Sequence, residues 1–557
     1  MQLLPRKVNK KKNLKQPPKK AVSQPVKPQR DYSIFLLWVV IGIVSIIRYR
    51  LISIPFERDE GEYGYIGNLL LHGVAPYKDA YSMKLPGTSF MYAIFMLFFG
   101  HTNSGVHLGM VFINAATMYF LFSAFKKIFH SFIGLATATI YGSMAISWAY
   151  FGVFAHATHF ICFYSSIALL FLADYMKSGK MLKVFLCGLM FGMAFLMKQQ
   201  AIFLILFGGL ILFLHLKTEK NQSWREVVKN LFLFGAGIVI PYFVVLLIIL
   251  LTGQFSIFWL WTVDYASKYE SIKDMALITT QFSASFIRGW NTFYYIILAA
   301  LGGMVVLLWS SYSRLQKIFV ITYLIANLCI LSSGFYFRPH YFIVTLPAIG
   351  LLSGIFIEFI CKKIRLKSSN IPLLILFAII LYGLYDNRKE YFTYTPRALC
   401  DMIYAANPFD ETQEIAKYIK EDTKDTDKIA ILGSEPEICF YADRRSATGY
   451  LYTYPLVEKQ PYNEMMQEQM IKEIEKNTPA YLVYFNNKFS WGAQPGTPTT
   501  LLDWANKYIP AHYTQVGIGD YFSNGTWQTF WGDDIKNAIP NPQSSFIVLK
   551  RNPAARS

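Results

Sequence analysis

The strongest constraint in this sequence is a succession of apolar stretches, each long enough to cross a bilayer, recurring from near the N-terminus to about residue 386. They lie near 33–54, 104–125, 131–150, 158–175, 181–197, 200–216, 231–252, 291–311, 317–334, 341–360 and 371–386. A membrane helix needs about 17 to 25 apolar residues, so the expected fold class is a polytopic α-helical membrane protein with about eleven transmembrane helices. Composition agrees: 54% of the 557 residues are hydrophobic and only 16% are charged, far from the balance of a soluble protein.

The net charge of +18 suggests nucleic acid at first sight, but ten of the positive charges lie between Arg6 and Arg30 with no acid among them. Residues 1–30 therefore read as a disordered cytoplasmic tail held against anionic membrane lipids. No basic face recurs in a soluble segment, so no nucleic-acid partner is expected. With the tail inside, alternate loops fall at Lys126–Lys127, 177–183, 217–229, Arg314–Lys317 and 362–367, and all five are basic, as cytoplasmic loops are. One piece resists the count. Pro86–Gly100 is apolar but only fifteen residues, about 22 Å as a helix. Counted as a span it would put every basic loop outside, so it is expected to be an interfacial or re-entrant helix on the outer face. The first apolar run is long and has no small-residue cleavage site, which makes it an anchor rather than a removed signal. Six cysteines without CxxC or CxxH spacing indicate neither a zinc site nor a disulfide scaffold. Cys400 and Cys439 alone fall outside the membrane region, and nothing supports a bond between them.

The expected layout is thus a tail (1–30), a transmembrane catalytic domain (31–386) with an outer loop at 55–103, and a soluble extracytoplasmic α/β domain (387–557). In that last segment polar helices (Glu411–Asp422, Tyr462–Lys476) alternate with short apolar strands (429–433, 480–485, 545–550), an α/β signature. No internal repeat is visible. The loop from Pro55, the stretch around His156 and His159, the 252–291 loop and everything after Asp386 share the outer side.

Chemistry is expected in the first outer loop, FERDEGEYGYIGNLLLHGVAPYKDAYSMKLPGTS, where Asp59, Glu60 and Glu62 follow the first span. Three carboxylates at a lipid boundary are costly unless wet or paired with cations. The bland reading is a hydrated loop that caps a helix. Against it stand Lys84 in the same loop, Arg338 and His340 in FYFRPHY, and Lys198 in MKQQ, all at outer helix ends. Carboxylates facing cations suit glycosyl transfer from a lipid phosphate. A carboxylate accepts the proton of the attacking hydroxyl or amine, while Arg and Lys stabilise charge on the departing phosphate. Such cations make a metal dispensable, so no cofactor is expected, with a divalent ion as the lesser alternative.

The same residues carry a family resemblance. DEGEY followed by HGVAPYKDAYSMKLPG resembles the first loop of GT-C fold glycosyltransferases of the protein mannosyltransferase and aminoarabinose transferase (family 39-like) type. FLMKQQ, FRPHYFIVTLPAIGLLSG and, less specifically, DKIAILGSEPEICFYADRRSATGYLY extend the likeness over most of the chain. The resemblance implies Asp59 as catalytic base with Glu60 as its partner, and Lys84 at the carrier phosphate with Arg338 and His340 as a second phosphate-side group. Lys198 completes the phosphate-binding set. It implies an inverting transferase that moves a sugar from a polyprenyl-phosphate donor to a protein, lipid or glycan acceptor at the outer face of the cytoplasmic (inner) membrane. Leu85 stands where relatives often have proline, and FAHATHF offers His156 and His159 where they often have another acid.

Glu62, Tyr63, Tyr77, His156 and His159 are the candidate acceptor- or sugar-binding residues. A spacing of three puts both histidines on one helical face, which admits a metal site, but no third ligand is evident beyond the acidic loop, and hydrogen-bonded histidines at a helix end are the plainer reading. Tyr65 and Tyr81 join Tyr63 and Tyr77 as stacking candidates or interface anchors. Asp264 and Lys268, beside Trp259 and Trp261, form a cover for the lipid carrier or an aromatic belt. The Asn524–Thr526 sequon is too common a pattern to weigh, and the GSEPE turn at 433–437 lacks a phosphate-binding glycine pattern. Two other classes remain open: a lipid or glycan transporter or flippase, which predicts charges in mid-span, and a non-catalytic membrane assembly protein.

Overall fold

In a lipid-facing segment the backbone has only itself to hydrogen-bond, and every expected span is helical in the computed structural model of the chain. The structure describes residues 31–553 except 269–273, 365–369, 406, 494, 523–525 and 540–543. The basic tail 1–30, the far part of the 362–367 loop and Asn524 of the sequon lie outside the described residues. The first helices are α1 (Ser33–Arg50), α2 (Arg58–Leu71), α3 (Gly87–Phe99), α4 (Asn103–Ile128), α5 (Ser131–Ala145), α6 (Ala157–Ser178) and α7 (Met181–Met197). Among the described residues eight helices are long and apolar enough to cross a membrane: α1, α4, α6, Gln199–Glu219, Trp224–Leu251, Met275–Leu307, Arg314–Phe335 and Pro339–Lys363. The other three expected spans are shorter helices of 15, 17 and 16 residues, namely α5, α7 and Ile371–Asp386. The awkward apolar piece is α3, thirteen residues and about 20 Å long.

α5 forms the centre of the bundle, with every residue from Ile133 to Ala145 buried. Elsewhere small residues let helices approach. A Cβ at Gly188 of α7 would lie 2.0 Å from the Phe234 carbonyl oxygen, and one at Gly192 would lie 2.4 Å from that of Ile238, so this glycine pair on one face seats α7 directly on the backbone of Trp224–Leu251.

The two ends of the bundle differ in chemistry. At one end Lys127 and Lys183 both pair with Asp174, and Lys362 with Glu358 at 2.6 Å. Gln316 donates to the Ile128 carbonyl there at 2.7 Å. The Tyr312 hydroxyl, just before Arg314, donates to the same Glu358, so basic loops from four parts of the sequence meet. At the far end of α4, Asn103 donates to the Ile54 carbonyl at 2.8 Å, which brings the end of α1 and the loop into α2 to the opposite pole. The buried Arg48 also serves that pole by donating to the Gly152 and Val153 carbonyls.

After Asp386 the chain builds a six-stranded sheet from β1 (Lys428–Leu432), β2 (Arg445–Ser446), β3 (Tyr481–Asn487), β4 (Tyr513–Tyr521), β5 (Trp527–Trp531) and β6 (Ser544–Arg551). The order is β2-β1-β3-β6-β4-β5, with β1 parallel to β2 and β3 and the other pairs antiparallel. The expected helices (Glu411–Asp422, Asn463–Asn477) and three strands are present. β4 and β5 escaped notice because their alternation is diluted by Gly, Thr, Gln and Trp. All six cysteines are free thiols. This sheet unit is fastened to α2 and the loop after it: Glu437 packs on Gly61, Ser446 N–H donates to the Tyr65 hydroxyl at 2.8 Å, and Tyr81 N–H donates to the Gly449 carbonyl at 2.7 Å.

A bulky side chain at Gly188 has to push two helices apart. Gly188→Ile is expected to lower the stability of the detergent-solubilised protein by about 1–3 kcal/mol or more, read as a drop in thermal midpoint by intrinsic fluorescence. Gly42→Ala, where a Cβ meets open space, should leave that midpoint within a degree or so.

Candidate active site

The N-terminus of α2 decides how the acidic cluster is displayed. Glu57 is its N-cap, accepting from the Glu60 N–H at 3.0 Å while the Glu60 carboxylate reaches back to the Glu57 N–H, a capping box. Consecutive helical residues point about 100° apart, so the acids that follow cannot all face one pocket. Asp59 and Glu62, three apart, share a face. Glu60 turns into the protein, where it is fully buried and accepts from His107 Nε2 at 2.9 Å and from the Ala155 N–H. His107 also bonds the Ile52 carbonyl. Glu60, named from sequence as the partner of Asp59, thus ties α2 to α4 and to the segment entering α6, on the side away from Lys84.

Lys84 closes the other face. Its ammonium donates to Asp59 Oδ1 at 2.8 Å and to Glu62 Oε2 at 2.5 Å, and it lies 4.6 Å from the centre of the Tyr63 ring. The Asp59 side chain keeps 24% of its exposure while that of Glu62 keeps 1%. Ser82 Oγ donates to Glu62 Oε1 at 2.5 Å. Tyr77, with a positive φ of 67°, donates its hydroxyl to the Lys84 carbonyl at 2.9 Å and stacks edgewise on Phe258. It holds the loop that carries Lys84 rather than meeting the carboxylates. A small cleft beside this loop, with a cavity volume of about 10 Å³, is lined by Glu62, Tyr63, Tyr77, Ser82 and Lys84.

From distant helices come the remaining groups. Lys198 caps the C-terminal end of α7, its ammonium 3.5 Å from the centre of the Tyr341 ring. Arg338 precedes the turn that begins at Pro339, and His340 stacks on His156 with ring centres 3.9 Å apart. Ligand atoms of Asp59, His156 and His340 all lie within 4.8 Å of one another. His159 does not join them. Its Nε2–H donates to the Gly152 carbonyl at 3.1 Å, beside Arg48, so the spacing of three orients only His156 toward the acids.

The electrostatics follow from this company. Burial alone would raise the Asp59 carboxyl, but the positive charges of Lys84 and Arg338 hold it well below the usual carboxylate range. Lys84 is disfavoured as a cation by burial yet is raised well above the usual lysine value by Asp59 and Glu62. His156 is pushed down to about 4 chiefly by burial and is neutral near pH 7. The site therefore holds an ionised Asp59 among three cations, with neutral imidazoles beside it.

One residue was not legible in the sequence. Tyr452, from the segment after β2, donates to Glu62 Oε2 at 2.7 Å and lies 3.4 Å from Asp59 Oδ1. It ends the stretch from Asp427 that shares the family resemblance, but nothing there singles it out, and the docking of the sheet unit on α2 carries it to the acids. Arg58, beside the cluster, pairs with Glu435 at 2.8 Å and donates to the Ser434 carbonyl at 2.6 Å, which gives the GSEPE turn a fastening role.

Residues 83–215 match the family model of dolichyl-phosphate-mannose-protein mannosyltransferases. No curated protein sequence matches the chain significantly. Among solved structures the fold is similar to that of ArnT from Cupriavidus metallidurans bound to undecaprenyl phosphate, with TM-score 0.56, 13% identity, and 94% of this chain and 99% of that one covered. It is also similar to the Archaeoglobus fulgidus oligosaccharyltransferase in complex with Zn and sulfate (TM-score 0.52, 12% identity, 88% and 72% covered). The mycobacterial arabinofuranosyltransferase AftD matches at TM-score 0.51 and 13% identity, over 93% of this chain and 40% of that longer one. The chain has the GT-C glycosyltransferase fold that its first loop resembles.

Because its folded carboxyl is held below the unfolded value, Asp59 contributes stability that is present above about pH 5 and lost as pH falls. Lys84→Met reverses the sign. Burial and the facing Glu62 then raise the carboxyls, so the variant's thermal midpoint, relative to wild type, should fall as pH rises from about 4 to 7. A midpoint difference that stays flat over that range would contradict the assigned ion pair.

Proposed function

We propose that this multi-pass membrane protein is an inverting glycosyltransferase that takes a sugar from a polyprenyl-phosphate donor and delivers it to an acceptor at the outer face of the cytoplasmic membrane. The observation that carries the reading is the convergence of an ionised Asp59 with Lys84, Lys198 and Arg338 at one pole of a GT-C bundle. One of the similar structures is bound to undecaprenyl phosphate. Three cations facing two carboxylates leave an excess of positive charge, which suits a lipid phosphate.

In the proposed step the acceptor hydroxyl or amine attacks the anomeric carbon from the face opposite the phosphate. Its proton passes to Asp59, the new bond to carbon forms, and the bond from carbon to the phosphate oxygen breaks. The carrier leaves as its phosphate, stabilised by the ammoniums of Lys84 and Lys198 and the guanidinium of Arg338. Before the donor arrives, Lys84 is held by Asp59 and Glu62, so it is already in place when charge builds on the leaving oxygen. Placing the sheet unit and α2 on the outer side is supported by the four basic loops gathered at the opposite pole, which suit the cytoplasmic surface. The bundle's functional charges sit at helix ends rather than in mid-span, which favours transfer over transport.

Asp59→Asn keeps the shape and removes the base. It is expected to lower transfer by about 10²–10⁴-fold in a purified assay with polyprenyl-phosphate-linked sugars, without loss of expression or membrane insertion. Full activity of that variant would sink the role assigned to Asp59.

A further inference from the structure

At the pole opposite the acidic mouth lies a cavity of about 280 Å³. Four membrane helices begin or end around it: α4 at Ile128, α6 at Ser178, Gln199–Glu219 at its last residue and Arg314–Phe335 at its first. Apolar spans stop where the bundle leaves the hydrocarbon, so the cavity lies at the depth of lipid headgroups. Its wall is of two kinds. Lys127, Lys177, Glu219, Ser313 and Gln316 are its polar part, and Met176, Leu315 and Phe319 belong to its apolar part. We infer that this cavity seats the phosphate headgroup of one anionic glycerophospholipid, whose chains leave over the apolar side.

The charges around it favour an anion. One carboxylate, Asp174, is shared by Lys127 and Lys183, and Glu219 Oε2 accepts from His215 Nδ1 at 2.8 Å. Lys177 is exposed and has no ion-pair partner among the described residues. Three ammoniums therefore stand against two carboxylates, one of which is already engaged by an imidazole. The helix that starts at Arg314 adds the positive end of its dipole, with Ser313 as N-cap and Gln316 closing the capping box. Ser313 Oγ accepts the Gln316 N–H at 3.2 Å, which leaves its hydroxyl hydrogen able to bond a phosphate oxygen. Gln316 Nε2 donates to the Ile128 carbonyl at 2.7 Å and holds this helix start against the end of α4, so the protein's own bonds set the wall.

A lipid fits this wall better than a soluble anion does. Basic pockets between spans suit anionic headgroups, and an acylated glycerol covers Met176, Leu315 and Phe319, from which a free phosphate gains nothing. A choline headgroup carries its own cation and brings no net negative charge to Lys177. Seated there, one phosphate joins the ends of α4 and α6 to the start of Arg314–Ser332, helices from three distant parts of the chain. Lys84, Arg338 and Lys198 lie at the other pole, and this inference stands apart from the transfer reading.

The test uses the full-length protein, delipidated in detergent and titrated with phosphatidylglycerol or phosphatidylcholine, with native mass spectrometry and thermal midpoint as readouts. Wild type should hold one phosphatidylglycerol in preference to phosphatidylcholine by about tenfold or more, and should gain several degrees in midpoint with it. Lys177→Glu should lose both the bound lipid and the gain, and so should Met176→Trp, which fills the cavity without changing its charge. Lys177→Arg should keep both. Lys220→Glu makes the same charge change at the same end of the bundle, on an exposed residue outside the cavity wall, and should also keep both. Midpoints of the lipid-free variants separate loss of ligand from loss of fold, and Lys177, exposed and unpaired, is the position least able to disturb the fold. Equal losses in Lys177→Glu and Lys220→Glu would reduce the effect to diffuse surface attraction and overturn the inference. Equal retention of the two lipids would overturn it as well, and so would displacement of phosphatidylglycerol by glycerol phosphate, which would mark a site for a soluble phosphate.

Discussion

The interaction on which the rest depends is the Lys84 ammonium held between Asp59 and Glu62. Two carboxylates on one helical face, one of them fully buried, repel each other, and without a cation between them one would take up a proton. Lys84 keeps Asp59 ionised and so able to accept a proton later. It also presents positive charge to whatever anion enters. Several features keep this lysine in place: the strained Tyr77 backbone, the Tyr77 hydroxyl on the Lys84 carbonyl, and Ser82 bonding both the Lys84 N–H and Glu62. The loop is built around one ammonium position.

Beneath it, α2 is set by a division of labour among four acids. Glu57 and Glu60 cap the helix and anchor it to α4 and α6, and only because they do so can Asp59 and Glu62 face the cations. Glu60 is the price of that arrangement, a carboxylate taken wholly out of water and matched by His107 and a backbone N–H. Changes at Glu60 therefore act on the site through the position of α2, and a loss of activity there is a loss of geometry before it is a loss of chemistry.

Much of this was legible from residue types and order, and the limits have physical causes. Apolar length and basic loops marked the expected spans, and eight emerge as long apolar helices, while α5, α7 and Ile371–Asp386 are shorter; of these α5 is buried inside the bundle and need not match a bilayer's thickness. The cluster of Asp59, Lys84, Arg338 and His340 was readable because charge at the ends of apolar runs is rare. Sequence could not say that Glu60 turns toward His107 while Glu62 turns toward Lys84, since that follows from helical phase, and phase depends on where the cap falls. Nor could it separate His156 from His159, for α6 begins between them and only the first lies at the mouth of the pocket. Tyr452 lay inside a family-like stretch without standing out from it, because its place at the acids arises from the docking of two distant parts of the chain.

That docking has a consequence for biosynthesis. The hydroxyl that bonds Glu62 belongs to a residue 390 positions downstream. Until that downstream segment is made, Glu62 lacks the phenol that bonds it in the folded chain. The acidic mouth is therefore completed only when the sheet unit has folded against α2, so the shape of the first loop is coupled to a segment hundreds of residues away.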